Sequence, residues 1–161
     1  MKRILLSILI VALIVQLFVP LYMIWERYDI LKNGAEVKFD ITMYDPYDAF
    51  RGRYVSIRAR NALAVDEGRY GIVEVRDDGI AVITKVSEEI PKEGLYLTSS
   101  DEKRFSFPHD RYYMEDKLAP KAEKLLRSLD NVYITLRIKN GKSVISGLFV
   151  DDTPIEEYLT E

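Results

Sequence analysis

Two short segments concentrate the side chains able to do chemistry. Asp45 to Tyr54 packs two carboxylates, two guanidiniums and three rings into ten residues, and Phe107 to Asp116 again sets an arginine, Arg111, among carboxylates and aromatics. A planar guanidinium matches a carboxylate through two parallel hydrogen bonds, so Arg51 or Arg53 can close a turn onto Asp45 or Asp48. Arginine and tyrosine are also the side chains most often found as binding anchors, so the same residues describe a partner surface. Turn closure and partner binding are both open at this level.

Other chemistry is thinly represented. His109 is the sole histidine and there is no cysteine, so thiolate and histidine-rich metal sites have no ligands. A Ser-His-Asp triad would have to use this one imidazole, which reads as a polar loop residue. The chain carries no Gly-rich phosphate loop, no Gly-x-Ser-x-Gly elbow and no His-Glu-x-x-His. Asp77 with Asp78, and Asp151 with Asp152, fall where aspartate bonds its own turn backbone, and they read as turn residues rather than calcium ligands. A peptidase dyad of serine and lysine needs a serine close to the membrane. Tyr22 to Arg53 contains none, Ser56 lies within a strand pattern, and Ser99 and Ser100 near Lys103 have no supporting feature. No catalytic residue, metal or cofactor is assigned.

The elements that position these residues begin with an anchor. Ile4 to Trp25 is a run of 22 residues without a charge. As a helix it would span roughly 33 Å, enough for a hydrocarbon core of about 30 Å. A cleaved leader would need small residues where the apolar run ends, whereas this run ends on Phe18 to Trp25, so residues 1–25 read as an uncleaved signal anchor. Lys2 and Arg3 precede the span and a flank of mixed sign follows it, which places the N-terminus in the cytoplasm and the rest outside. Tyr22, Trp25 and Tyr28 suit the outer headgroup level. Pro20 removes one backbone donor near that end, which membrane helices tolerate. Ile24, Tyr28 and Leu31 continue the helical spacing, so residues 26–34 read as a stalk stopped by Gly34.

Residues 35–161 are one domain's worth of chain, large enough for a core without staples. With Lys2 and Arg3 set aside, 21 basic residues face 26 acidic ones, a balance that argues against nucleic acid and against a polybasic grip on anionic lipid. Periodicity switches to two after Gly34: Val37, Phe39, Ile41 and Met43 alternate with polar residues as in a half-buried strand. Tyr54 to Ala59 predicts a second strand and Leu95 to Thr98 a short one. Tyr70 to Val75 and Ile80 to Val86 flank Asp78 and Gly79, while Val132 to Ile138 and Ser143 to Val150 flank Asn140 and Gly141, two strong hairpin signals. One helix is predicted over Pro120 to Leu129, with Ala122, Leu125, Leu126 and Leu129 as its apolar face. The expected fold is β-rich (α+β), mainly antiparallel, with one helix laid on it.

On these residues the chain resembles a family of membrane-anchored bacterial and archaeal proteins named for the motif Gly-Asp-Tyr-x-x-Leu-x-Tyr (GDYXXLXY). Asp45, Pro46, Asp48, Arg51, Gly52 and Tyr54 match its first pattern, and Asp110, Arg111, Tyr112 and Tyr113 look like a later one. The motif's aspartate is Arg53 here, its leucine Ile57 and its last tyrosine Ala59. The resemblance implies these ten matched positions as a binding surface and, because relatives are often encoded beside multi-spanning membrane proteins, a partner of that kind. It carries no established activity.

The expectation is therefore a single-pass anchored, extracytoplasmic domain that meets the bilayer through residues 4–25 and partners a multi-spanning membrane protein. The alternative is a membrane-tethered hydrolase or small-ligand-binding domain, built where the Arg51 turn meets the Arg111 loop. A reporter fused after Glu161 should be active only outside the cytoplasm, and N-terminal sequencing should find the span intact. Mature protein beginning between Leu21 and Ala35 would show a processed leader.

Overall fold

The computed structural model describes residues 2–43, 54–60, 67–101, 104–115, 117–126, 129 and 131–160. Helix α1 spans Lys2–Asn33 and runs unbroken through Pro20. It is long and apolar enough to cross a membrane, and its apolar window is not covered by the rest of the protein. Leu17 and Phe18 remain 65% and 68% exposed, unlike the side chains of a soluble core helix.

A single residue, Gly34, separates α1 from strand β1 (Ala35–Met43). Its N–H donates to the Ile30 carbonyl at 2.8 Å, ending the helix where the sequence predicts. The remaining strands are β2 (Tyr54–Ala59), β3 (Tyr70–Val75), β4 (Ala81–Ser87), β5 (Leu95–Thr98), β6 (Arg111–Tyr113), β7 (Val132–Lys139), β8 (Lys142–Val150) and β9 (Thr153–Pro154). Helices α2 (Ala119–Leu126) and α3 (Ile155–Tyr158) complete the elements. Among the described residues the pairings between these strands are antiparallel, and isolated parallel bridges join Lys38 to Ile80 and Leu97 to Gly141. The strands form one sheet in the order β6-β2-β1-β7-β8-β9 and a second in the order β4-β3-β5.

The core collects the inward positions of both sheets. Val37, Phe39 and Ile41 of β1 meet Ile134, Leu136 and Ile138 of β7, Val73 and Ile83 of the smaller sheet, and Ala122 and Leu126 of α2. Thus the period-two pattern after Gly34 marks the buried face. Between Thr135 and Leu136 the β7–β8 register shifts, because Thr135 pairs with Gly147 and Leu136 with Ile145. Ser146 is the extra residue of this bulge, and its hydroxyl donates to Thr135 Oγ1 at 2.9 Å. The bulge changes which residues of β8 face inward, so that Leu148 and Val150 join the core.

The two hairpins use different turns. Asn140 and Gly141 both take positive φ, 50° and 75°, as the type I′ turn requires. In the β3–β4 turn only Gly79 does, at 80°, and Asp78 accepts the Ile80 N–H at 3.0 Å. Gly141 has a second duty. The Tyr96 ring and Thr98 close over it, and its carbonyl accepts the Thr98 N–H at 2.8 Å, joining the two sheets.

Three features differ from the sequence reading. Helix α2 starts one residue early and Leu129 lies outside it, packed on the core. Helix α3 and strand β9 follow a turn in which Asp151 and Asp152 both take positive φ. Arg111 to Tyr113, read as loop, is a strand because β2 offers it a pairing edge.

Gly141→Ala meets both the wrong φ and the Tyr96 ring, whereas Gly79→Ala meets only the φ, with nothing within 4 Å of the added carbon. The first should cost about 2–4 kcal/mol and the second about 1, as read by thermal denaturation of the full-length protein in detergent. Equal losses would show that Gly141 serves only its turn.

Candidate functional site

The β2–β6 pairing brings the two chemistry-rich segments together at their described ends. Tyr54 lies opposite Tyr113, Val55 opposite Tyr112, and Ser56 opposite Arg111. Strand alternation divides these residues between two faces. Tyr112 turns toward the core, where its hydroxyl donates to Glu156 Oε1 at 2.8 Å, and burial raises its phenol pKa. Arg111 and Tyr113 turn outward with Tyr54. The Arg111 guanidinium sits 4.8 Å from the Tyr54 ring centre, and the Tyr54 and Tyr113 rings are 6.0 Å apart. Asp110 Oδ2 lies 3.6 Å from Arg111 Nε. Tyr54, Asp110, Arg111 and Tyr113 are therefore one surface cluster. Asp45, Pro46, Asp48, Arg51 and Gly52 lie outside the described residues.

Beside this cluster a cleft of about 550 Å³ opens between the end of α1 and the domain. Glu26, Arg27 and Ile30 of α1 form one wall, the β7–β8 hairpin from Gly141 to Ile145 a second, and Pro108, His109 and Arg111 to Tyr113 a third. The walls are clamped together. Ile30 is buried at 5% exposure, Lys139 Nζ lies 2.7 Å from Asp29 Oδ2, Lys142 pairs with Glu26, and Arg137 donates to the Gly34 carbonyl at 3.2 Å. Arg27 lines the cleft without an ion-pair partner among the described residues.

His109 sits in the third wall, half-buried rather than loosely solvated as a polar loop residue would be. Its Nε2 is 2.9 Å from Ser143 Oγ, and its ring lies edge-on to Phe107, which packs on Phe39. Burial first, and the Arg27 charge second, lower its pKa from 6.5 to about 4, against opposing effects of Asp110 and Ser143. The imidazole is neutral at pH 7.

Among the described residues no three acidic or histidine side chains are grouped to hold a metal ion. Ser99 staples its own loop, donating to the Arg104 carbonyl and accepting the Asp101 and Ser106 N–H groups. Asp77 and Asp78 lie in the β3–β4 turn, and Asp151 and Asp152 in the β8–β9 turn. Tyr22, Trp25 and Tyr28 are uncovered on α1, with Tyr22 and Trp25 rings 6.3 Å apart. Sequence reasoning missed Arg27, Lys142 and Ser143, which enter the cleft from elements more than a hundred residues apart in sequence; the only hint was the mixed charge after Trp25.

These features define a class: a β-rich domain continuous with a helix of membrane-spanning grade. A family model described as GDYXXLXY protein matches residues 16–148, from mid-helix to β8, and the chain belongs to that family. No curated protein and no solved structure matches it significantly. Of the positions read against the family's naming motif, Gly52 and Arg53 lie outside the described residues and Tyr54, Ile57 and Ala59 lie on β2, where Tyr54 faces outward and Ile57 and Ala59 are buried at 4% each. Ile57 in place of leucine keeps the apolar volume of a core position.

Because His109 holds its proton less tightly when folded than unfolded, stability should be full above about pH 6.5 and fall as pH drops toward about 4. Comparing melting against pH for the native protein and His109→Asn checks this. Parallel curves would show that the imidazole does not titrate differently in the two states.

Proposed function

We propose that this protein is a single-pass, membrane-anchored binding domain, exposed outside the cytoplasm, that serves a multi-spanning membrane protein as an accessory subunit. The observation that carries this reading is the linker-free join between α1 and the domain. Gly34 is the only residue between helix and strand, and Ile30 with the Asp29 and Glu26 pairs holds the helix against the β7–β8 hairpin. A domain so held keeps one surface beside the membrane. That surface includes Arg111 and Tyr113, the latter 68% exposed, at the β6 edge of the larger sheet. Exposed arginine and tyrosine side by side are the usual anchors of a protein interface. Orientation rests on Lys2 and Arg3 before the span.

The cleft favours a second reading, a small-ligand-binding domain on the same anchor. Its volume is in the range of ligand pockets, and polar and apolar residues share its lining.

Affinity purification of tagged full-length protein from detergent extracts tests the first reading. A multi-spanning protein should be recovered with the native chain, and Tyr113→Ala and Arg111→Ala should each reduce its recovery about tenfold or more while leaving the melting temperature unchanged. Lowered melting in both variants would instead make the cluster part of the scaffold.

A further inference from the structure

The cleft has a charge character at odds with its chain. The protein carries a net charge of −3, yet Arg27, Arg111 and Lys142 line this cavity with Glu26 as the carboxylate among its lining residues and Asp110, which does not line it, beside Arg111. Lys142 is satisfied by Glu26. Arg111 has Asp110 at 3.6 Å and a side-chain hydrogen bond with Tyr113, which leaves the rest of its five-donor fork for a ligand. Arg27 has no ion-pair partner among the described residues. Arg27 is an exposed guanidinium without such a partner, its charge reaches the half-buried His109 imidazole, and it shares the cleft with two more cations, an arrangement suited to an anion.

We infer that the cleft between α1 and the domain binds a phosphate ester, held between Arg27 and Arg111 beside His109. A guanidinium grips phosphate through two parallel hydrogen bonds, and two of them lining one cleft suit a phosphomonoester or phosphodiester. His109 and Ser143, joined at 2.9 Å, offer further hydrogen-bonding groups in the same wall. Ile30, Val144 and Ile145 supply apolar lining for whatever the phosphate carries. The position of the site rests on the membrane reading above. If Ile4 to Trp25 fills the hydrocarbon, Glu26 to Ile30 rise through a headgroup layer roughly 6 Å deep. The same chemistry then has two sources, a lipid headgroup or a soluble phosphate ester. Neither requires a polybasic surface, so the acidic balance of the domain is no obstacle.

The single histidine makes the test direct, since it gives one imidazole signal in the full-length protein. An anion beside it offsets the Arg27 charge and raises its pKa above the value of the empty site. The protein is held in an uncharged, phosphate-free detergent and titrated with inorganic phosphate, glycerol 3-phosphate and short-chain phosphatidic acid, while the imidazole is followed by NMR. The expected result is a saturable upward shift of the His109 titration, weakened about tenfold or more in Arg27→Gln and in Arg111→Gln. Arg27 is exposed and has no ion-pair partner among the described residues, so its variant should keep the native melting temperature.

Phosphatidic acid binding about tenfold tighter than glycerol 3-phosphate assigns a lipid headgroup; comparable binding assigns a soluble ester. A shift by neither up to about 10 mM, or one that both variants retain in full, overturns the inference. Working in detergent keeps the outcome separate from the topology and partner readings, which can fail without moving the imidazole.

Discussion

Everything in this protein depends on how the last two turns of α1 lie against the β7–β8 hairpin. Burial of Ile30 contributes about 2 kcal/mol, and the partly exposed pairs, Asp29 with Lys139 and Glu26 with Lys142, add less. Those are small energies for fixing a domain. They suffice because the connection has no slack: a side-chain carbon on Gly34 would come within 2.5 Å of the Ile30 carbonyl and 3.0 Å of the Ile138 amide. The helix end and β7 are in van der Waals contact through a residue with no side chain. Loosened, the helix would no longer wall the cleft, and Arg27 would face solvent instead of His109.

The hairpin receiving the helix is itself secured from both sides. Its turn is held by Asn140 and Gly141 in left-handed geometry, and the Gly141 carbonyl is bonded to β5 of the other sheet. The Ser146 bulge then redirects β8 so that its far half enters the core. One strand pair thus serves the stalk, both sheets and the cleft. That is why a polar residue, Thr135, is tolerated at 6% exposure in the central strand: its hydroxyl partners the bulge.

Elements with strong local signals were legible in the sequence. The charge-free run, the period-two stretches and the Asp-Gly and Asn-Gly turns located α1, β1 to β5 and the β7–β8 hairpin within a residue or two, because each is specified by neighbours in the chain. Strand β6 was not legible, since three residues carry no periodicity and Arg111 to Tyr113 becomes a strand only by pairing with β2. Helix α3 is four residues long and has no side-chain cap to announce it. For the candidate site, residue chemistry and motif pointed to Tyr54 and to Asp110 through Tyr113, and the fold sets these side by side. The cleft was invisible because its walls come from the anchor, the hairpin and a loop, and no local pattern predicts that Arg27 will approach His109.

The unbroken α1 also ties the domain's rotational setting to the membrane span. With about 100° of turn per residue, Val19 and Met23 fall on nearly the same side of the helix as Ile30, beneath the domain, while Trp25 and Tyr28 point away from it. The Val19 side of the helix is thus the side that Ile30 turns to the domain, and the Trp25 side is the opposite one. The helix acts as a keyed shaft: adding one residue to the apolar run would turn everything before it by about 100° relative to the domain while leaving every contact above Glu26 unchanged.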